Sequence, residues 1–502
     1  MTETPAPDPD RGVDLEAGPD GRVSTTAVAR AVVGTALAAV DPEAGARAAA
    51  VKDWRKDYLA PYRDLVVAGA RTAQAADDVA RTGLAALHGR ARFTRDGESV
   101  PLLDAATTWT APAYRSVTIE GTADRDRALT LPYRGRRLDG ADVRRRLDAW
   151  VHEGIVERGL ATSVHTVLDH PEWLDLSDVT VVVLGAGAEM GPLRSLLRWG
   201  AHVVAVDLPR PEIWQRVIAV ARATSGRLTV PVPIDAEPVD DEWLAAVAGV
   251  DLIRGLPEVH TWLAGVEGPF TLGTYTYADG AMHVRVALAA DALGQALTAR
   301  RDDVGLAFLA TPTDVYAAPQ SAVDESRRRW EARGLSGLAQ APLRVVGRFQ
   351  PNYPDTLDTD HGPVGIADCL VPQQGPSYAL AKRLQRWRAT QSRRDGVWAS
   401  LNIAPATRTR SVVKNRALAA AYAGAHRFGV EVFEPSTSNT LMAALLVHDL
   451  RSSESPAPAS ADVGHPDLAW ARQAAHGGLW RSAYAPRSVL GIAAALGMVT
   501  RG

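Results

Sequence analysis

Apolar residues along this chain follow two rhythms. From about 25 to 95 they recur at helical spacing, in VSTTAVARAVVGTALAAV and PYRDLVVAGARTAQAADDVARTGLAALHG, which predicts an N-terminal helical element. Between about 97 and 140, shorter β-type runs broken by Pro and Gly predict a small irregular or β-containing piece. The helical stretch GADVRRRLDAWVHEGIVERGL then leads into the strand VTVVVLG. From residue 179 strand and helix alternate in the way that implies an α/β fold with a parallel, doubly wound sheet. The second strand is AHVVAVDLP, the third RLTVPVPIDA and the fourth VDLIRG, the last preceded by a helix EWLAAVAG. A long helix over about 279–299 precedes the fifth, VGLAFLATP. An interruption over 315–375 contains a charged helix DESRRRWEARG, a strand-like PLRVVGRF and a polar loop NYPDTLDTDHGPVG. The helical YALAKRLQRWRA and the strand VWASLNIAP resume the alternation, and a helical tail over 462–502 carries exposed-looking Trp470, Trp480 and Tyr484.

Glycines punctuate the first strand of the alternating region. In VTVVVLGAGAEMG, Gly185 permits the tight turn out of the strand, Gly187 lets backbone approach a pyrophosphate, and Gly191 lets the next helix pack closely on the sheet. Unpaired amides at that helix start favour an anionic phosphate. Asp207 ends the second strand about twenty residues on, where a carboxylate accepts hydrogen bonds from both ribose hydroxyls of an adenosine. Together these read as half of a dinucleotide-binding βαβ unit and place a Rossmann-like domain over 177–450. The plainer alternative is a sheet whose glycines serve only helix–sheet packing. Glu189 favours that alternative unless its side chain turns away from the loop.

Composition narrows the classes. With 502 residues the chain exceeds one ordinary core, so several domains or one elaborated domain are expected. Residues 1–24 are acidic and Pro/Gly-rich and are expected to be a disordered tail, and 25–150 form the helical and irregular N-terminal region. A net charge of -3 gives no reason to expect nucleic acid or an anionic membrane as partner. The Arg runs at 144–146 and 327–329 read as charged helix faces. The single Cys369 excludes an internal disulfide and points to a reducing compartment. No apolar run approaches bilayer length, so a cytoplasmic protein acting on a small molecule is expected.

A second constellation lies downstream. Tyr378 and Lys382 stand four apart in SYALAK, on one face of a helix. An ammonium near a phenol stabilises the phenolate and lowers its pKa from about 10 toward working pH, which suits the Tyr to general acid or base work. On its own such a pair is usually a half-buried aromatic beside a solvated charge. Here the helix precedes VWASLNIAPATRT, where a strand ends in Pro405 with Thr409 four residues on, and loops at the carboxyl ends of parallel strands are where such sheets bind ligands.

The set resembles the short-chain dehydrogenase/reductase family over roughly 177–450. GAGAEMG matches the family's glycine loop at Gly185 and Gly191, with Glu189 at the middle glycine and an extra Gly187. Asp207 matches its adenosine-ribose carboxylate, and Asp235 in VPIDAEP looks like its adenine-contacting acidic residue. Tyr378 and Lys382 match the catalytic Tyr-x-x-x-Lys, and Pro405 and Thr409 look like the Pro-Gly-x-x-x-Thr loop with Ala406 replacing glycine. The family's catalytic serine is missing from LATPTDVY, which leaves Thr311 or Thr313 to supply the hydroxyl, and its Asn-Ala-Gly is replaced by RGLPEVH. The resemblance implies hydride transfer between NAD or NADP and a carbonyl or alcohol, in a homo-dimer or homo-tetramer without metal. The implied catalytic set is Tyr378, Lys382, Thr311 and Thr313. The cofactor-facing set is Gly185, Gly187, Met190, Gly191, Asp207, Arg210, Asp235, Pro405 and Thr409. Asp207 favours NAD, and Arg210 keeps NADP open.

Two rivals remain. An S-adenosylmethionine methyltransferase also begins its sheet with a glycine-rich turn and an acidic residue, needs no Tyr/Lys pair and typically ends in an antiparallel strand. A decayed dehydrogenase would bind nucleotide without turnover. Asp355, Asp358, Asp360 and His361 offer metal-ligand types but read more simply as a solvated turn, and His260 and His283 could line the pocket but read more simply as structural histidines.

Overall fold

The computed structural model describes residues 12–18, 21–237 and 239–499. Strand β1 (Gly12–Leu15) is followed by helices α1 (Thr25–Ala38), α2 (Pro42–Ala49), α3 (Trp54–Asp57), α4 (Leu59–Gly69) and α5 (Ala73–His88). Ser24, Asp41 and Thr72 start α1, α2 and α5 by accepting a backbone N–H three residues on. Strand β2 (Ala91–Arg95) pairs with β1 on one side and with β3 (Glu98–Pro101) on the other in an antiparallel sheet. Residues 12–15 therefore do not belong to a disordered tail: Val13 is fully buried, donates its N–H to Ile253 and accepts from Arg285. The rest of that expected tail up to residue 11, with residues 19 and 20, lies outside the described residues.

Helix α6 (Ala105–Thr108), strand β4 (Tyr114–Glu120), the hairpin β5 (Thr130–Tyr133) and β6 (Arg136–Asp139), and helices α7 (Gly140–His152) and α8 (Arg158–Asp169) lead to the central sheet. There β7 (Thr180–Leu184), α9 (Leu193–Arg198), β8 (His202–Val206), α10 (Pro211–Arg222), β9 (Arg227–Pro233), α11 (Asp241–Val247), α12 (Leu256–Ala264), β10 (Phe270–Thr274), α13 (Ala281–Thr298) and β11 (Val304–Ala310) follow in turn. The interruption holds β12 (Val315–Pro319), α14 (Gln320–Glu331), α15 (Gly334–Arg344), β13 (Leu357–Thr359) and β14 (Gly362–Asp368). Next come α16 (Pro376–Arg394), β15 (Ala399–Ile403), α17 (Arg410–Lys414), α18 (Arg416–Gly424), α19 (Pro435–Arg451), α20 (Pro466–Arg472) and α21 (Pro486–Val499).

The fold is α/β, with a seven-stranded sheet in the order β15-β11-β10-β7-β8-β9-β4. Every neighbouring pair is parallel except β4 with β9. Strand side chains alternate between two cores. Val182, Leu184, Val204, Val206, Leu306 and Phe308 join residues of α1, α5, α13 and α16, whereas Val181, Val183, Val203, Ala205, Ala307 and Leu309 join residues of α8, α10 and α19. Among the described residues no helix is long and apolar enough to cross a membrane.

Four sequence expectations fail here. VDLIRG is a turn, not the fourth strand: the Asp251 carboxylate accepts the Ile253 N–H and the Asp251 carbonyl accepts that of Gly255, closing the chain locally before it can pair. The fourth strand is FTLGT, in which Gly273 leaves room for the Tyr275 ring. PLRVVGRF finds no sheet edge; α15 runs on to Arg344 with Pro342 inside it, and Val345 and Val346 lie exposed. NYPDTLDTDHGPVG is not all loop, because β13 and β14 pair in a hairpin that turns at Asp360 and His361. Trp470 and Trp480 are buried, the first beneath the Arg393 guanidinium and the second against Tyr316 and His476.

Candidate functional site at the strand ends

The strand order reverses between β7 and β10, so the chain leaves the carboxyl ends of these two neighbours in opposite directions, which is where sheets of this kind generally bind ligands. Gly185 leaves β7 in the left-handed region at φ +87, and a Cβ on it would stand 3.0 Å from the Tyr275 and Thr276 backbone. At Gly187 a Cβ would reach 2.9 Å from Ile213 on α10. Gly191 differs from expectation: a Cβ there would meet nothing closer than 3.4 Å, and α9 starts only at Leu193, so close helix packing does not require this glycine.

Asp207 binds the loop itself. Its carboxylate accepts the Gly187 N–H at 2.7 Å and the Leu208 N–H at 2.8 Å. Burial raises its pKa against the pull of these amides and of Arg216 and Arg210. Arg210 is exposed at the start of α10, and Asp235 is exposed two residues beyond β9. Met190 lines a small internal space with Tyr275, Met442 and Leu446, which places it toward the core. Glu189 turns aside: its carboxylate accepts the Arg410 N–H at 2.8 Å and pairs with the Arg410 guanidinium at 3.0 Å. The Asn439 side chain donates to the Glu189 carbonyl. The loop after β15 thus lies against the glycine loop; within it the Thr407 hydroxyl donates to the Pro405 carbonyl, and the Thr409 hydroxyl bonds that of Ser411.

Tyr378, Thr311 and Thr313 come together despite the intervening segment, and Lys382 lies one turn further along α16. The Thr311 and Thr313 hydroxyls are 3.0 Å apart, Gln374 donates to Thr313 at 2.6 Å, and the Thr311 hydroxyl faces the Tyr378 phenol. The Tyr316 hydroxyl holds the Thr311 carbonyl from below. Lys382 donates to the Leu309 carbonyl at 3.2 Å and to Gln385 at 3.1 Å. Burial pushes Lys382 down to about 8 and pushes the Tyr378 phenol up. The expected lowering of that phenol by the ammonium is therefore overturned: burial dominates, and the opposing pull comes from the Thr311 hydroxyl, not from Lys382.

Sequence reasoning missed part of this site because it misplaced the fourth strand. The segment leaving β10 brings in the unforeseen Thr276 and Tyr277, and α13 brings in His283, which the sequence offers as a pocket-lining alternative to a structural histidine. His283 is 1% exposed, with the rings of Tyr277 and Tyr378 at 5.2 and 5.3 Å between centroids. Burial, then the Lys382 charge, pushes its pKa down to about 3. Neither ring nitrogen has a hydrogen-bond partner among the described residues, and neither does the buried Thr276 hydroxyl. Such orphaned groups are costly unless something else satisfies them.

Helix α16 is fixed by buried ion pairs that set which face meets the strand ends. Arg383 and Arg386 hold Asp314 at 2.7 and 2.8 Å, and Arg388 and His88 hold Asp291 at 2.7 and 2.5 Å. The N-terminal helices contribute directly, since Gly83 on α5 leaves the space that the Trp387 ring occupies. Among the described residues no group of three or more His, Cys, Asp or Glu is placed to hold a metal. His361 packs on the ring of His465, and His260 is buried on α12. No protein-family profile matches the chain, and no curated protein is significantly similar to it.

Proposed function

We propose that the chain is a nicotinamide-dependent oxidoreductase on a doubly wound, Rossmann-like sheet, acting on a small carbonyl or alcohol in the manner of the short-chain dehydrogenase/reductases. The observation that carries this reading is that Tyr378 meets Thr311 near the carboxyl ends of β10 and β11, with Lys382 one helical turn on, bonded to the end of β11 through the Leu309 carbonyl. Two features favour a dinucleotide: Glu189 points to Arg410, and Thr276 and His283 await partners, while the Gly187 N–H and carbonyl are already held by Asp207 and Arg216. Asp207 has acceptor capacity beyond the two amides it already holds.

When bound, the nicotinamide would give or take the hydride. The glycine loop and Asp207 would hold the adenosine half, with NAD favoured over NADP because a 2'-phosphate would meet the carboxylate. The loop from Pro405 to Thr409 would hold the other half. Thr311 orients the substrate oxygen, and the Tyr378 phenol, kept protonated by burial, donates its proton to a carbonyl oxygen. Lys382 is positioned by Leu309 and Gln385 to take a ribose hydroxyl. A cytoplasmic homo-oligomer belongs to the same reading.

Calorimetric titration with NAD(H), NADP(H) and S-adenosylmethionine tests it. We expect NAD(H) to bind, Asp207→Ala to abolish binding, and Tyr378→Phe to lower carbonyl-dependent NADH oxidation by roughly a hundredfold or more. Binding of S-adenosylmethionine alone would overturn the proposal. The methyltransferase rival does find an antiparallel edge strand, but β4 sits beside β9 and precedes the glycine loop in the chain. Nucleotide binding with no turnover on any carbonyl would favour a decayed scaffold.

A further inference from the structure

Helix α15 is docked with its apolar side outward. Leu335, Leu338, Pro342 and Val346 stand at i, i+3, i+7 and i+11, one stripe of a 3.6-residue repeat, yet no residue of the helix is buried. Leu335 is 84% exposed, Leu338 71%, Val345 90% and Val346 68%. Arg333, Gln340 and Arg344 keep the same spacing half a turn away, and they face the body of the protein. The Tyr484 hydroxyl donates to the Gln340 side chain at 2.9 Å, and both guanidinium groups lie over the Trp330 ring. The segment is tied at both ends to one aromatic side chain, since the Trp330 and Phe349 rings lie 5.8 and 5.6 Å from that of Tyr484. Contacts on its polar side therefore hold the apolar stripe toward solvent.

A contiguous exposed stripe of this kind marks a contact surface, and the charge around it selects the occupant. The net charge of -3 hides a local excess, because residues 327–349 hold six arginines and one glutamate. Arg344 and Arg348 are exposed and flank Val345 and Val346, and Arg327 and Arg328 are exposed near the end of α14. A second copy docked face to face would set these arginines against their own counterparts. An acidic peptide helix docks in a groove, whereas side chains as exposed as Leu335 and Val345 form a ridge. A bilayer with anionic headgroups suits both features: leucines and valines enter between the lipids, and guanidinium groups meet phosphate. At eleven residues α15 is too short to cross a bilayer and would lie along it. We propose that α15 and the turn after it seat the protein on an anionic membrane surface. This seating is independent of the oxidoreductase reading.

Flotation of the full chain with lipid vesicles tests it, one set of pure phosphatidylcholine and the other of equimolar phosphatidylcholine and phosphatidylglycerol. We expect binding to the mixed vesicles, weaker by roughly tenfold or more on phosphatidylcholine alone, and weakening as salt approaches about 1 M. Leu335→Glu combined with Leu338→Glu should weaken binding to the mixed vesicles roughly tenfold or more, with thermal unfolding unchanged because both side chains stand in solvent. Arg344→Gln combined with Arg348→Gln should do the same. Should that pair fail to fold, because Arg344 packs on Trp330, Arg348→Gln alone decides, with an expected loss of roughly fivefold. No binding to the mixed vesicles, equal binding to both sets, or unchanged binding by the folded variants overturns the proposal. Self-association that the leucine variant abolishes, without vesicle binding, assigns the face to a second copy and overturns it equally.

Discussion

The carboxylate of Asp207 accepts the N–H of Gly187 at 2.7 Å, so the residue that ends β8 also holds the glycine loop in shape. A second amide, from Leu208, shares the load. Replacing the carboxylate strands two amide donors in a half-buried place. Asp207→Ala should cost about 1–3 kcal/mol in denaturant unfolding, and Asp207→Asn less, because its amide oxygen still accepts. Equal losses from the two variants would mean that the charge, and not the acceptor geometry, holds the loop.

Lys382 supplies a test with a definite sign. Its folded pKa is about 8 against an ordinary value of 10.5. Between these values the unfolded chain binds a proton that the folded chain does not, so this residue makes stability rise as pH increases from 8 to 10.5. Below 8 the penalty for burying the ammonium is fully present. Lys382→Met should therefore be more stable than the parent by about 1–3 kcal/mol at pH 7, with the difference vanishing by pH 10.5. A difference that does not change across that window would place the ammonium in contact with water.

His283 behaves in the opposite range. Its pKa is about 3 in the folded chain against 6.5 unfolded, held down by burial among Tyr277, Tyr378 and α16 and by Lys382. As pH falls from 6.5 toward 3 the unfolded chain gains the proton first, and stability contributed by neutral His283 is lost. His283→Phe should flatten this acid limb in urea melts taken at intervals of pH. Its ring resonances should also show no titration above pH 4; a midpoint near 6 would mean that the imidazole has a wet or acidic neighbour.

The sheet was legible because buried parallel strands such as VTVVVLG and AHVVAVDLP are continuous apolar runs that need no context. The fourth strand was not, because FTLGT carries Thr and Gly where its neighbours carry Val, while VDLIRG looks like a strand until Asp251 closes a turn. That exchange hid Thr276 and Tyr277, which belong to the site by virtue of following the true strand. The Tyr/Lys spacing puts the two residues one turn apart on α16, but burial decides their protonation, and a linear sequence does not show burial. The same holds for Arg383, Arg386 and Arg388, which look like a solvated charge run and lie inside the molecule.

Glu189 offers the last prediction, since its place inside the loop argued against a phosphate site. Its carboxylate instead clamps the start of α17 through the Arg410 N–H and guanidinium. The pair is solvated, with the Arg410 side chain 71% exposed, so its loss should cost about 0–1 kcal/mol. Glu189→Gln should leave the melting curve almost unmoved, speed amide exchange across 410–414 and, on the proposed dinucleotide reading, tighten nucleotide binding severalfold by removing a negative charge from the glycine loop. If binding instead weakens while exchange is unchanged, the carboxylate belongs to the ligand site and α17 is held by its own packing.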